Sequence, residues 1–345
     1  MPIIPVNDES IARAAAVITR GGLAAFPTET VYGLGGDAFN PLSLARIFEV
    51  KGRPRFDPLI VHIAAFEALE TVADLSLLDA AARKNLAALT QRFWPGPLTL
   101  ILPKQKTIPD LATSGLPTVA VRLPDHDAAR RLIALSTGAV AAPSANPFGY
   151  LSPTRAEHVA ALLGEKIEII LDGGATRFGL ESTVLDMSEG RPRVLRPGAV
   201  TKEAIEELIG VVAVGSAVAH NSPASPGMLK SHYAPRVSLV THNGALRHID
   251  SAACHNAACH NVAWLFFDGA SRDKWLSASQ SKPAAVAVLS ETGDLNEAAA
   301  RFFQTLHELD RPGIKRIYAQ LAPEKSLGVA INDRLRRAEN THGKE

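Results

Sequence analysis

The sequence predicts a mixed α/β protein in two domains, and three observations carry that expectation. Short apolar runs alternate with amphipathic stretches along the whole chain, the pattern of strands and helices feeding one sheet. The 345 residues exceed the usual size of a single domain. Residues 211–236 break the alternation with small residues, Pro223, Pro226 and Pro235, and no sustained period. The expected division is therefore a domain over 1–210, a linker or lid loop over 211–236, and a smaller α/β domain over 237–345.

Asn7 and Asp8 are suited to cap a helix running to Arg20 and stopped by Gly21-Gly22. Leu23–Phe26 reads as a short strand, and Pro27–Gly36 as a loop rich in Thr and Gly. Asn40-Pro41 caps a second helix with Leu44, Ile47 and Phe48 on one face. A strand at Leu59–Ile63 is followed by helical sequence to about Phe93, where Trp94-Pro95-Gly96-Pro97 forces a break. Strands follow at Leu98–Leu102, Val119–Leu123, Ala139–Ala142, Glu168–Leu171, Ser182–Asp186 and Val194–Arg196, with helices at 125–136, 155–163 and 201–209. In the second domain, strands at Val237–Val240, Val262–Phe267, Ala285–Leu289 and Ile314–Ala319 alternate with helices near 295–309 and 325–338. No Gly-x-Gly-x-x-Gly or Walker-type loop occurs there, so no nucleotide site is expected in that domain.

Composition excludes several classes. Residues 1–210 hold 21 Lys/Arg against 23 Asp/Glu (net −2) and the remainder 15 against 12 (net +3). That balance disfavours tight nucleic-acid binding. Cys254 and Cys259 are the only two cysteines, so no disulfide framework is implied. Met1–Ser10 lacks a signal-peptide pattern, and no apolar run reaches the roughly 20 residues of a membrane span. The expectation is a cytoplasmic protein without membrane contact. No residue group has structural-metal spacing; the repeated Ala-Ala-Cys-His-Asn at 252–261 is read as solvated helix or loop.

The most informative segment is Lys51–His62, where Lys51, Arg53 and Arg55 fall within five residues. Pro54 and Pro58 exclude a continuous helix, so the segment reads as a rigid loop bringing cations to the mouth of a sheet, fit for a polyanion. The Pro27–Gly36 loop reads by itself as an ordinary strand-to-helix turn, or as a loop whose backbone can approach a ligand and which offers the Thr28 and Thr30 hydroxyls. Period-two alternation sets Arg122 on the same strand face as Thr118, where it holds either an anionic ligand or a structural ion pair. Ser144, Ser152 and Glu181-Ser182-Thr183 lie in turns at strand ends, suited to phosphate, ribose or turn capping. Arg196-Pro-Gly198 puts another cation beside a break. Open α/β sheets bind ligands at such strand ends.

Taken together, PTETVYGLG (27–35), KGRPRFDPLIVH (51–62), WPGPLT (94–99), TVAVRLP (118–124), APSAN (142–146), SPT (152–154), ESTV (181–184) and RPG (196–198) resemble the YrdC-like family in order and spacing. SPGMLKSHYAP (225–235) and the appended domain resemble its long, two-domain form. The resemblance implies a twisted mixed sheet around a large cavity, plus a Rossmann-like C-terminal domain. It implies condensation of L-threonine, bicarbonate and ATP into threonylcarbamoyl-adenylate and pyrophosphate, with Mg²⁺ accompanying ATP. Other proteins then pass the threonylcarbamoyl group to tRNA beside the anticodon, so this chain need hold tRNA weakly or not at all. By the family's pattern, Thr30, His62, Arg122, Ala142 and Ser182 are the threonine side. Lys51 and Arg53 are the catalytic cations, and Arg53, Asp57, Thr118, Ser144, Ser152, Arg196 and Tyr233 the ATP side. Asp57 departs from the Asn often found in relatives, and its charge would repel phosphates unless a metal or Lys51/Arg53 intervenes. Tyr233 is expected to lie over the nucleotide as part of a lid. The competing expectation is a YrdC-like RNA- or nucleotide-binding regulator that performs no turnover.

Overall fold

The computed structural model describes residues 3–215, 232–243, 258–279 and 282–339. The chain splits into two compact units, 1–148 with 152–229, and 149–151 with 230–345.

The first unit is built on one sheet. Its strands are β1 (Ile3–Pro5), β2 (Ala24–Phe26), β3 (Gly33–Asp37), β4 (Ile60–Ile63), β5 (Leu98–Pro103), β6 (Thr118–Arg122), β7 (Ala139–Ala141), β8 (Ile169–Asp172), β9 (Thr183–Asp186), β10 (Arg193–Arg196) and β11 (Ala213–Val214). They pair in the order β1-β8-β2-β3-β7-β4-β6-β5-β9-β10-β11. The pairing is mixed: β4 runs parallel to β6 and antiparallel to β7, and β5 antiparallel to β6 but parallel to β9. Helices α1 (Asp8–Thr19), α2 (Pro41–Lys51), α3 (Leu69–Val72), α4 (Ala80–Phe93), α5 (Asp110–Thr113), α6 (Asp127–Leu135), α7 (Ala156–Leu163) and α8 (Lys202–Ile209) complete it.

Local sequence explains the elements that place the site. Asn7 caps α1 through a reciprocal box, its side chain accepting from the Ser10 N–H at 2.8 Å while the Ser10 hydroxyl accepts from the Asn7 N–H at 2.9 Å. Asn40 caps α2, Pro41 supplies a pre-set first turn, and Gly52 ends the helix with φ 61°. Lys51 is thus the last helical residue rather than part of a loop, which corrects the expected loop placement. The second correction is β3, a strand inside the Gly-rich stretch expected as loop. A Cβ at Gly35 would come within 2.6 Å of the Phe26 ring and 2.9 Å of Val140, so glycine lets the neighbouring strands close up.

The pleat divides the sheet's residues between its two faces. Leu59, Val61 and Ile63 of β4 and its approach, Leu98, Leu100 and Leu102 of β5, and Val119 and Val121 of β6 join one large apolar core with residues of α2 and α4. The alternate residues Ile60, Ile101, Ala120, Val184 and Leu195 form a separate, smaller cluster on the inner face. His62 and Arg122 continue that inner face, opposite one another in the β4–β6 register.

The second unit carries a four-stranded parallel sheet, β12 (Ser238–His242), β13 (Val262–Asp268), β14 (Ala285–Ser290) and β15 (Arg316–Gln320), in the order β12-β15-β13-β14. Helices α9 (Gly269–Ala278), α10 (Leu295–Leu309) and α11 (Leu327–Glu339) belong to it. Trp264, Phe266, Trp275 and Tyr318 form its aromatic core. Helix α9 was not expected, because GASRDKWLSA shows no apolar stripe; Asp268 starts it by accepting from the Ser271 N–H at 2.6 Å. Residues 216–231 of the expected linker lie outside the described residues, as does Cys254 with its neighbour His255; His260 is exposed.

Candidate active site

At the C-terminal end of α2, in the turn that follows it, and on β4, β6 and β10, the site takes shape from the burial of charge. Lys51, Arg53, Asp57, His62, Arg122 and Arg196 are all at most 6% exposed. Charged side chains this deep must be paired or poised for a ligand.

The first cluster is built by the turn after α2. The Lys51 ammonium donates to the Ser144 carbonyl at 2.6 Å and the Asn146 carbonyl at 2.5 Å, binding the 142–146 turn to the helix end. Lysine has three N–H donors, and these bonds use two. Arg53 donates from Nε to the Asp57 carbonyl at 3.0 Å and from Nη2 to the Pro58 carbonyl at 2.8 Å, and pairs with the Asp57 carboxylate at 2.9 Å. Pro54 and Pro58 hold the turn in the shape that brings its carbonyls back onto Arg53. Burial pushes the Lys51 ammonium well below the usual lysine range, with Arg53's charge adding to the shift and Asp57's opposing it. Burial raises the Asp57 carboxyl, against the charges of Arg53, Lys51 and Arg196. Three cations therefore act on one carboxylate. Arg55, the third cation of that segment, is exposed and takes no part in the cluster.

The second cluster lies on the inner face. Arg122 meets Glu29 at 2.6 Å, both side chains almost wholly buried, and its Nε donates to the Gly96 carbonyl at 3.3 Å. The ion-pair reading of Arg122 is thus realised, by a partner the sequence argument passed over. His62 is held neutral: burial, then Arg122's charge, push it down to about 3. Thr30 is buried, its hydroxyl 2.9 Å from that of Thr28. Ala142 is buried, and its N–H donates to the Ile60 carbonyl at 2.9 Å.

Arg196 and Ser182 join one another directly. Arg196 Nη2 donates to the Ser182 carbonyl at 2.9 Å and hydroxyl at 3.1 Å, and the hydroxyl lies 2.7 Å from that of Thr99. Ser152, wholly buried, donates to Glu181 at 2.6 Å. Ser144 is half-buried at the end of β7, and Thr118 half-buried at the start of β6. Tyr233 belongs to the second unit, where it is 2% exposed, 5.8 Å from the Phe303 ring and 5.3 Å from the Arg334 guanidinium, with φ 65°. Glu29, Thr99 and Asn146 were not among the expected candidates, and Glu181 was named only as part of its turn. Each lies inside or beside a block already quoted, and the signal was a polar side chain on an inward-facing position.

Buried cations and neutral hydroxyls at the strand ends of a twisted mixed sheet define a small-molecule enzyme of the YrdC-like fold. The chain belongs to the Sua5/YciO/YrdC family: residues 16–198 match its model, described as "Telomere recombination", and residues 200–339 match "Threonylcarbamoyl-AMP synthase, C-terminal domain". Threonylcarbamoyl-AMP synthase of Pyrococcus abyssi is 41% identical over 336 residues, covering 96% of this chain and 95% of the relative. The enzyme of the same name from Bacillus subtilis is 40% identical over 342 residues, covering 97% and 94%. The crystal structure of P. abyssi Sua5 complexed with L-threonine superposes with a TM-score of 0.87 at 40% identity, covering 98% of each chain.

Proposed function

We propose that this chain is a nucleotidyl-transferring enzyme that converts L-threonine, bicarbonate and ATP into threonylcarbamoyl-AMP and pyrophosphate. The observation that carries this reading is the burial of three cations, Lys51, Arg53 and Arg196, each at most 6% exposed, with Arg196 bonded to Ser182 on the amino-acid side.

The chemistry needs no protein nucleophile. Threonine's amine and bicarbonate give a carbamate and water; a carbamate oxygen then attacks the α-phosphate, and pyrophosphate leaves. Catalysis consists of alignment and of neutralising charge on the five-coordinate phosphorus and the leaving group. Lys51 has a third N–H for a phosphate oxygen, and an anion there stabilises its charged form against burial. Arg53 and Arg196 add fixed positive charge, with Thr118, Ser144 and Ser152 supplying hydroxyls along the nucleotide. Arg122 receives the threonine carboxylate, and Thr30, His62, Ala142 and Ser182 line the rest of that pocket. His62, neutral, contributes a hydrogen bond rather than a charge.

Mg²⁺ enters with ATP, bound to its phosphates. Among the described residues no group of three or more His, Cys, Asp or Glu could hold a metal by itself, and Asp57 is engaged by Arg53. The product is a mixed anhydride, so a separate transferase must consume it and attach the threonylcarbamoyl group to tRNA. The near-neutral charge supports that division of labour. Among the described residues no helix is long and apolar enough to cross a membrane.

The test is incubation of the protein with ATP, Mg²⁺, bicarbonate and each amino acid in turn. Pyrophosphate release that requires both threonine and bicarbonate is expected. Its absence with threonine overturns the reading and favours a protein that binds nucleotide without turnover.

A further inference from the structure

Glu29 is the buried charge that the proposed reaction leaves without a task. Its side chain is 2% exposed. Neither carboxylate oxygen accepts a hydrogen bond among the described residues, and the Arg122 contact at 2.6 Å lacks hydrogen-bond geometry. A buried carboxylate offers about four acceptor positions, and leaving them empty is costly. Around it stand Arg122 and His126. Burial lowers His126 while the Glu29 charge opposes that shift, which marks Glu29 as a felt negative charge inside the unit. His62, the neighbour of Arg122 across β4–β6, is neutral and adds no counter-charge.

Arg122 offsets the charge of Glu29 at 2.6 Å, so what the carboxylate lacks is hydrogen-bond donors, which a compact cation with several N–H groups supplies. An α-amino acid carries an ammonium and a carboxylate on one carbon atom, so its opposite charges are close neighbours. Arg122 and Glu29 present the complementary pair, 2.6 Å apart. Thr30, on the proposed threonine pocket, is the next residue in the chain and is itself wholly buried.

We propose that Glu29 receives the α-ammonium group of the substrate, so that Glu29 and Arg122 together clamp the amino acid as a zwitterion. This rests on the reading of the site as a threonine pocket and adds to it the residue that distinguishes an amino acid from other small carboxylates. Glu29 is a specificity-determining residue in this account. A merely structural Glu29 would hold Arg122 in place and weaken all carboxylate ligands alike when removed.

The test is calorimetric binding to the full chain, without ATP or bicarbonate, of L-threonine and of its 2-hydroxy analogue, in which a hydroxyl replaces the ammonium. The wild type is expected to prefer threonine by at least about tenfold, the scale of one charge-assisted hydrogen-bonded contact. Glu29→Gln is expected to lose that preference, binding the two ligands within about twofold of each other, while Glu29→Asp restores part of it. Equal binding of the two ligands by the wild type, or an undiminished preference in Glu29→Gln, overturns the proposal. Should Glu29→Gln fail to fold, the wild type still decides: threonine binding is expected to weaken as pH rises through the titration of its ammonium while the analogue's binding does not follow. Parallel pH profiles for the two ligands overturn the proposal. Threonine-dependent pyrophosphate release fails or succeeds independently of these measurements, so the two readings can be lost separately.

Discussion

Arg196 grips Ser182 by both its carbonyl and its hydroxyl, at 2.9 and 3.1 Å from the same guanidinium nitrogen. One residue was assigned to the nucleotide and the other to the amino acid, so this contact physically couples the two halves of the proposed reaction. The irregularity in β10 between Val194 and Arg196, where the register against β9 shifts, accompanies the placement of the guanidinium there.

Lys51→Met should abolish turnover with the fold retained. Threonine-dependent pyrophosphate release is expected to fall at least about 100-fold, the usual cost of one charge-stabilising group. The Ser144 and Asn146 carbonyls lose their donor. A stability loss of about 1–3 kcal/mol should therefore appear as a lower melting temperature. A pyrophosphate assay beside thermal denaturation checks both, and wild-type turnover would remove Lys51 from the machinery.

Asp57→Asn should tighten ATP. Its carboxylate draws on the same three cations that the triphosphate needs. Removing the negative charge is expected to raise affinity for a non-hydrolysable ATP analogue by about tenfold, or ~1.4 kcal/mol. Titration calorimetry with Mg²⁺ present decides the point; weaker binding would mean that Asp57 helps to hold the nucleotide, for instance through the metal.

His62 should make stability fall in acid. Its folded pKa of about 3 lies below the ordinary 6.5. Between those values the unfolded chain binds a proton that the native protein refuses, so stability drops as pH falls from 6.5 toward 3 and is flat above. The slope from this one residue is at most about 1.4 kcal/mol per pH unit. His62→Gln should flatten the curve by that amount relative to wild type. His242, lowered to about 4 by burial, contributes equally to both proteins and cancels in the comparison. Superimposable pH profiles would show that His62 is accessible to protons.

Gly198→Ala should damage both substrate sides at once. A Cβ there would come within 2.5 Å of the backbone of Ser182 and Thr183 and closer still to the Glu181 carbonyl oxygen. Backbone cannot yield as a side-chain tip can, so a loss of roughly 3 kcal/mol is expected. Denaturant unfolding and the apparent KM for both ATP and threonine measure it; a change confined to one substrate would argue against the coupling through Ser182.

Much of this was legible because alternation has a physical period. Thr118 and Arg122 were placed on one face by counting in twos, and the β6 register agrees. What the sequence hid was contact across distance. Glu29 and Arg122 are remote in the chain, and local pattern cannot say which acid will meet a buried arginine. Strand β3 was hidden for a different reason: its glycines have poor strand propensity, yet tight packing against Phe26 and Val140 demands them. Lys51 was identified as a site cation while its helical setting was missed, because Pro54 and Pro58 disfavour helix only from about Arg53 onward and leave Lys51 free to close α2 before Gly52. For Asp57, sequence raised the question of repulsion, and the structure pairs its carboxylate with Arg53 at 2.9 Å.

The pleat of β4, β5 and β6 also has a consequence for descent with change. Odd-numbered β4 positions and their counterparts hold the scaffold together, whereas Ile60, Ile101, Ala120, Val184 and Leu195 share the other face with His62 and Arg122 of the candidate site. Selection can therefore rewrite the second set while leaving the first untouched. New substrate preferences should arise by exchanging every other residue along a strand, with the architecture inherited intact.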